Sequence, residues 1–311
     1  MAFPTETVYG LGANALDADA VARIFVAKGR PSNNPLIVHV PDVETARQYV
    51  TAWPEIAEKL AARFWPGPLT LVLSRAEAIP DIVTAGGATV ALRVPAHPVA
   101  LALLRAAGIP LAAPSANLSM QLSPTRAEHV AETLNGRISM ILDGGPTTGG
   151  LESTVIALTA APPILLRPGL ISPAELRSVV GRLDRRKDAA NTDTPLPSPG
   201  LTRRHYAPHA PLELARSQGE ERVRRLLRSG RRVGWLTFMP PAEDLLAANL
   251  TGLVFRVMPL SPQEYAAKLY ACLHELDAAN VERIVVNRPP ETEAWMAVHD
   301  RLRRAAARAH D

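Results

Sequence analysis

Short apolar runs alternate with longer amphipathic segments through residues 17–159 of the chain. The apolar runs are bounded by Gly, Pro and Ser, and they predict β-strands at 69–74, 89–95, 109–115, 139–145 and 154–159. Apolar residues at helical spacing predict helices at 17–29, 43–50, 53–65 and 97–108. This alternation is typical of an α/β fold, in which helices cover a sheet and polar groups collect in the loops at the strand ends.

The pattern breaks between residues 184 and 211, where periodicity disappears and Pro, Asp, Thr and Asn accumulate. Helix and strand patterns then restart. Because 311 residues exceed what one core usually supports, we predict a first domain over 1–184, a linker over 185–211 and a smaller α/β domain over 212–311. The linker contains "RRHYAPHAP", which is either a solvated basic tether or a segment that folds back over the first domain.

Composition narrows the class of protein. The chain is 47% hydrophobic and 21% charged, and its net charge of +4 permits a polyanionic partner without requiring one. The single cysteine, Cys272, excludes an internal disulfide and favours a reducing compartment, so we expect a cytoplasmic protein. The most apolar window, 97–114, is interrupted by Arg105, Gly108 and Pro110 and does not predict a membrane span.

The first polar cluster is "FPTETVYGLGAN" at 3–14. Its "GLGANA" matches the dinucleotide fingerprint G-x-G-x-x-G/A, so a dinucleotide-dependent oxidoreductase is one alternative. That fingerprint requires an acidic residue about twenty positions later. The sequence has Lys28, Gly29 and Arg30 there instead, so the match is poor.

The second cluster is "KGRPSNNPL" at 28–36. A helix is expected to end near Lys28, with Gly29 as its stop signal and Pro31 preventing continuation. The helix dipole alone favours cations there. However, a Lys and an Arg two residues apart on a stiff loop also make a clamp for phosphate oxygens.

Two further clusters follow apolar strands. In 111–130 a strand leads into Ser115, Asn117 and Ser123, and Thr125 with Glu128 predicts a helix capping box. Small hydroxyls and amides at a strand-to-helix junction suit anions.

In 143–169 a glycine-rich loop precedes Ser153, and Arg167 ends another strand. A hairpin and a surface arginine would explain these features equally well. Signatures of phosphate loops, serine hydrolases, zinc proteases and kinases are absent from the sequence. An enzyme built this way would act by positioning charged reactants.

In this order, the clusters resemble the YrdC-like family of L-threonylcarbamoyladenylate synthases, in its longer branch with a C-terminal domain. The similar stretches are "FPTETVYGLGANA", "KGRPSNNPLIVHV", "FWPGPLTLVL", "TVALRVPAHP", "AAPSANLS", "ESTVI", "LLRPG" and "SPGLTRRHYAP". The resemblance implies a twisted mixed sheet flanked by helices, joined by a Pro-rich linker to a Rossmann-like α/β domain. It also implies synthesis of threonylcarbamoyl-AMP and pyrophosphate from L-threonine, bicarbonate and ATP, for modification of tRNA beside the anticodon.

The resemblance assigns roles to individual residues. The Lys-x-Arg and Ser-x-Asn pairs that it marks as catalytic are Lys28, Arg30, Ser115 and Asn117. ATP contacts would come from Lys28, Arg30, Asn34, Thr89, Ser115, Ser123, Arg167, Arg203, His205 and Tyr206, with the linker closing over the nucleotide. Threonine contacts would come from Thr7, His39, Arg93, Ser153 and the backbone of Ala113. Mg²⁺ would accompany ATP, and tRNA threonylcarbamoyl-transfer proteins would receive the product.

The chain departs from the family pattern at three places. It begins almost at "FPTET", whereas members of the family carry a helix and most of a strand before it, so either the start is misassigned or the sheet lacks an element. Met120 and Gln121 stand where the family usually has Gly, and Leu201–Arg203 replace Met, Lys and Tyr.

A double-stranded-RNA-binding module without catalysis, with possible direct RNA contact, is the other alternative, although binding RNA backbones requires no threonine site.

Overall fold

The computed structural model of the chain describes residues 1–185, 205–216, 218–247 and 252–307. The chain divides into two compact units. The first contains residues 1–119 and 123–201, and the second contains residues 120–122 and 202–311. The boundary between Leu201 and Thr202 falls inside the segment predicted as a linker.

The first unit has ten strands and seven helices among its described residues. The strands are β1 (Ala2–Phe3), β2 (Gly10–Leu11), β3 (Ala13–Asn14), β4 (Ile37–His39), β5 (Leu69–Ser74), β6 (Thr89–Arg93), β7 (Leu111–Ala112), β8 (Thr154–Ala157), β9 (Ile164–Arg167) and β10 (Asp184–Arg185). The helices are α1 (Ala18–Lys28), α2 (Val43–Arg47), α3 (Glu55–Phe64), α4 (Asp81–Thr84), α5 (Pro98–Ala107), α6 (Ala127–Leu134) and α7 (Pro173–Val180).

An eight-stranded mixed sheet forms the centre of this unit, in the order β10-β9-β8-β5-β6-β4-β7-β3. Strand β4 is parallel to β6 and antiparallel to β7, and β5 is antiparallel to β6 but parallel to β8. Side chains from five strands pack into one cluster on the sheet, among them Ile37, Val72, Ala91 and Val155. The structure therefore confirms the α/β fold that the pattern predicts and the mixed sheet that the resemblance implies.

The second unit is a smaller, wholly parallel sheet in the order β11-β14-β12-β13 among the described residues. Its elements are β11 (Leu212–Ala215), α8 (Gly219–Arg228), β12 (Val233–Thr237), α9 (Glu243–Ala247), β13 (Leu253–Val257), α10 (Pro262–Ala278), β14 (Arg283–Asn287), a 3-10 helix (Glu293–Trp295) and α11 (Met296–Ala306). Cys272 lies buried on α10, where burial raises the pKa of its thiol to about 11. In the described part of the chain, no helix has the length and apolarity needed to cross a bilayer.

Two local predictions are wrong. Residues 139–145 do not form a strand, and only an isolated bridge joins Ile141 to Ala2, because two glycines and Pro146 follow at once. The capping box is also absent: α6 begins at Ala127, and Arg126 at its N-cap makes no side-chain cap. Instead the ring Nδ1 of His129 accepts the Thr125 N–H at 3.3 Å.

Gly169 marks a close approach between two backbone segments. A Cβ atom at this position would lie 2.3 Å from the Thr154 nitrogen and 2.6 Å from the Glu152 oxygen. Both atoms belong to the main chain, so neither can rotate away. The segment after β9 can therefore pack against the start of β8 only if residue 169 has no side chain.

We expect Gly169→Ala to lower the free energy of unfolding by about 3 kcal/mol or more through overpacking. Gly29→Ala is the matched control, because Gly29 has a φ of 58° but nothing within 4 Å of an added Cβ. That change should cost only about 1 kcal/mol. Urea denaturation of both variants measures the difference, and equal losses would contradict the packing argument.

His39, the last residue of β4, is a buried neutral imidazole. It is 3% exposed, and its ring meets the Phe3 ring edge-on with 6.2 Å between centroids. Burial, and after it the nearby Arg93, lower its pKa from 6.5 to about 3. Between these two pH values the His39 imidazole is protonated in the unfolded chain and neutral in the folded chain. The stability contribution is therefore complete above pH 6.5 and is lost as the pH falls.

Lowering the pH from 7 to 5 should destabilise the protein by about 2 kcal/mol through His39 alone. In His39→Gln this part of the pH dependence should disappear, whereas His209→Gln, at an exposed position, should retain it. Urea midpoints at the two pH values give the comparison. An unchanged pH dependence in His39→Gln would mean that the imidazole is protonated in the folded state.

Candidate active site

The central sheet holds the predicted site residues at two opposite ends. Thr89 begins β6 and Arg93 ends it, so their Cα atoms are about 13 Å apart along the strand. His39 lies opposite Arg93 on the neighbouring strand. Extending the register of β4 with β6 by two residues places Pro35 beside Thr89, and Ser115 follows three residues after the last residue of β7, Ala112. We call these the Lys28 end and the Arg93 end of the sheet.

Lys28 is the last residue of α1, which stops at the left-handed Gly29. Its side chain is 1% exposed, and Nζ donates to the carbonyl oxygens of Ser115 and Asn117. The Ser119 N–H donates back to the Lys28 carbonyl at 2.8 Å. Burial, and after it the charge of Arg30, hold the pKa of Lys28 well below its usual range. Lys28 therefore fixes the loop that carries the Ser-x-Asn pair.

Arg30 closes the following loop on itself. Its Nε donates to the Asn34 carbonyl at 3.0 Å, and Nη2 donates to Asn34 Oδ1 at 2.6 Å and to the Pro35 carbonyl at 2.8 Å. Both Arg30 and Asn34 are buried. The structure thus brings Lys28 together with Ser115 and Asn117, and it joins Arg30 to Asn34.

Arg93 organises the other end. Its Nε donates to the Gly67 carbonyl at 3.2 Å, and Nη1 donates to Thr7 Oγ1 at 2.9 Å. Nη2 forms an ion pair with Glu6 Oε1 at 2.6 Å. We call Glu6, Thr7, His39 and Arg93 the Arg93 cluster. Glu6 lies within the first polar cluster of the sequence, but no role was predicted for it.

The hydrogen bonds around Thr7 fix which of the two neighbouring threonine hydroxyls is the donor. Thr5 Oγ1 donates its single proton to the Val8 carbonyl at 2.6 Å. The 2.8 Å contact between the two hydroxyls must then be donated by Thr7. Thr7 Oγ1 in turn accepts from Arg93. The proton of Thr7 is committed, so towards a ligand this hydroxyl can only accept.

Ser153 and Arg167 lie together beside the Arg93 end. Arg167 Nη2 donates to the carbonyl of Ser153 at 3.0 Å and to its Oγ at 3.1 Å, and Thr70 Oγ1 lies 2.7 Å from the same Oγ. Ser123 Oγ donates to Oε1 of the buried Glu152, which directly precedes Ser153. The resemblance assigns Arg167 and Ser123 to ATP. In the structure, however, both lie next to Ser153, which is a predicted threonine contact.

The backbone of Ala113 is partly occupied, since its N–H donates to the Ile37 carbonyl at 2.9 Å. The carbonyl is the group of Ala113 that a ligand contact would use.

His205 and Tyr206 belong to the second unit. Their rings lie 4.0 Å apart, and the Arg301 guanidinium stands 5.1 Å from the Tyr206 centroid. Tyr206 is 1% exposed, and the backbone N–H of His205 donates to the Arg304 carbonyl at 3.4 Å. The end of the predicted linker is therefore anchored on α11. Arg203 lies outside the described residues, and the assignment of all three residues to the nucleotide stays a prediction.

At Met120, one of the departures from the family pattern, the backbone has the conformation that glycine favours. Its φ of 71° lies in the left-handed region, where glycine is favoured. Its carbonyl accepts the Ala207 N–H at 3.0 Å, and Gln121 forms a bridge with Ala207. The unusual backbone is thus held by pairing within the second unit.

The dinucleotide alternative loses its support. Gly12 packs against Phe3, whose ring an added Cβ would meet at 2.7 Å, and the Asp17 carboxylate caps the α1 N-terminus that a pyrophosphate would need. The dinucleotide hypothesis is therefore wrong for this segment.

Comparisons with known proteins cover the whole chain. Residues 1–169 match a family model described as telomere recombination, and residues 171–307 match one described as threonylcarbamoyl-AMP synthase, C-terminal domain. The threonylcarbamoyl-AMP synthase of Bacillus subtilis is 46% identical, over 98% of this chain and 89% of the relative. That of Pyrococcus abyssi is 44% identical, over 98% and 90%.

A solved structure agrees with these relatives. The crystal structure of P. abyssi Sua5 complexed with L-threonine superposes with a TM-score of 0.89 at 42% identity, and the match covers 98% of this chain and 89% of that one. The fold, the two family models and the sequence identities agree, and the chain belongs to the threonylcarbamoyl-AMP synthase family.

Proposed function

We propose that this protein makes L-threonylcarbamoyl-AMP and pyrophosphate from L-threonine, bicarbonate and ATP. The observation that carries the proposal is the two-ended sheet of the first unit. One end gathers two buried cations with Ser115 and Asn117, and the other gathers a buried arginine with a carboxylate and a hydroxyl. The first end suits a triphosphate and the second suits an amino acid.

The chemistry proceeds in two steps in this proposal. The threonine ammonium group first gives up a proton, the resulting amine attacks the carbon of bicarbonate, and loss of water leaves N-carboxythreonine. The new carboxylate then attacks the α-phosphorus of ATP, and the bond to the β-phosphate oxygen breaks to release pyrophosphate. Lys28 and Arg30 would offset negative charge at the phosphates, so that most of the acceleration comes from positioning and electrostatics.

Mg²⁺ enters as part of the substrate. Among the described residues, no group of three or more His, Cys, Asp or Glu side chains could hold a metal ion. Mg²⁺ commonly keeps several waters and binds through substrate phosphates. We therefore propose that MgATP is the species that binds.

The product is a mixed anhydride and would be passed to proteins that transfer the threonylcarbamoyl group to tRNA. We place this step in the cytoplasm, where tRNA modification needs it. Direct RNA contact by this chain is not required by the reaction.

Arg30→Ala should lower kcat/KM for ATP at least 100-fold, because it removes a forked donor from the phosphate end. The assay is pyrophosphate release that depends on both threonine and bicarbonate. Arg23→Ala, at an exposed position on the same helix α1, is the control and should be neutral. Wild-type turnover in Arg30→Ala would remove this loop from the site.

Thr7→Val should raise KM for threonine about 10-fold or more, because a hydrogen-bond acceptor is lost and Arg93 Nη1 is left without its partner. KM for ATP should change little, since Thr7 belongs to the Arg93 end. Thr133→Val on α6 provides the matched control. An equal rise in both KM values would argue against separate ends for the two substrates.

A further inference from the structure

Glu6 is a carboxylate that several contacts hold in place. Oε1 pairs with Arg93, and Oε2 accepts the Ala96 N–H at 3.0 Å. The Glu6 carbonyl accepts the Gly149 N–H at 2.8 Å, which anchors the backbone of the same residue. The side chain keeps 13% of its surface exposed, against 4% for Arg93. Within the Arg93 cluster, Glu6 is therefore fixed in position and is the member that solvent reaches most easily.

The Arg93 cluster carries no net charge. Arg93 contributes one positive charge, Glu6 contributes one negative charge at 2.6 Å, and burial keeps His39 neutral by lowering its pKa to about 3. Lys28 differs, because the acceptors that hold it are neutral carbonyls. The Arg93 end thus balances its own charge.

Hydrogen-bonding capacity points to the same class of ligand. A guanidinium has five N–H groups. Among the described residues Gly67 and Thr7 accept one hydrogen bond each, and Nη2 contacts Glu6 as an ion pair without a hydrogen bond, so at least two N–H groups remain for a carboxylate. Thr7 Oγ1 can only accept, and the Glu6 carboxylate has further lone pairs. The cluster therefore offers donors for a carboxylate and acceptors for an ammonium group.

We propose that Glu6 is a specificity-determining residue, which restricts the Arg93 cluster to a zwitterionic amino acid and rejects the same acid without its ammonium group. This inference rests on the proposed function, since it concerns the threonine end of that reaction. An anion without an ammonium group would add a second negative charge beside Glu6, although the one cation of the cluster, Arg93, is already balanced by Glu6, and like charges in a poorly solvated site repel strongly. Such a site discriminates by penalising the wrong ligand as well as by attracting the right one.

The test measures two ligands by calorimetry in the absence of ATP. L-threonine carries both charges, and 2,3-dihydroxybutanoate carries the carboxylate but has a hydroxyl in place of the ammonium. Wild-type protein should bind threonine at least 30-fold more tightly. In Glu6→Gln that ratio should fall at least 10-fold, through weaker threonine binding and unchanged or tighter binding of the anion. Glu128→Gln, at an exposed position on α6, should keep the wild-type ratio.

A merely structural Glu6 would give a different result. Both ligands would then weaken equally in Glu6→Gln, the ratio would stay at its wild-type value, and the inference would be overturned. Glu6→Asp keeps the charge and should restore most of the ratio. If the Glu6 variants do not fold, wild-type protein still decides, because equal affinity for dihydroxybutanoate and threonine overturns the inference.

The inference and the proposed function fail separately. Wild-type protein that releases no threonine-dependent pyrophosphate overturns the function, and the inference with it. Wild-type protein that turns over normally, while Glu6→Gln keeps full discrimination, overturns the inference alone.

Discussion

A buried cation must be surrounded by hydrogen-bond acceptors, and this requirement shapes the first unit. Lys28, Arg30, Arg93 and Arg167 are each no more than 8% exposed. Each donates to main-chain carbonyls of a loop, at residues 115 and 117, 34 and 35, 67, and 153 respectively. The cations therefore hold four loops in shape before any substrate arrives. Such preorganisation is what electrostatic catalysis needs.

Patterning predicted those parts of the fold in which local sequence decides the structure. The run at 69–74 is a strand with those bounds, because four of its residues are apolar and it lies in the middle of the sheet. The apolar run at 139–145 pairs only briefly, since its backbone must turn at Gly145, with a φ of 77°. The capping box failed for a similar reason, because His129 supplied a bond that the sequence pattern assigned to Glu128.

The candidate site was predictable where the residue types and their spacing indicate a ligand, as Lys28 and Arg30 indicate phosphate. Glu6 was not predictable, because its partner Arg93 lies 87 positions away and only the sheet brings the two together. Spacing also could not show that Ser123 and Arg167 lie beside the Arg93 end, since that follows from the pairing of β8 with β5 and β9. Contacts across strands thus supply what local sequence lacks.

Lys28 shows why a buried cation can serve the fold and the reaction together. A neutral amine has two N–H groups, which would satisfy the Ser115 and Asn117 carbonyls, whereas an ammonium has three donors. Burial favours the amine, as the lowered pKa of Lys28 indicates. An arriving triphosphate favours the ammonium, because an opposite charge stabilises the protonated form. The third donor would then serve the phosphate while the other two keep the loop in place, so that binding ATP need not disturb the scaffold around it.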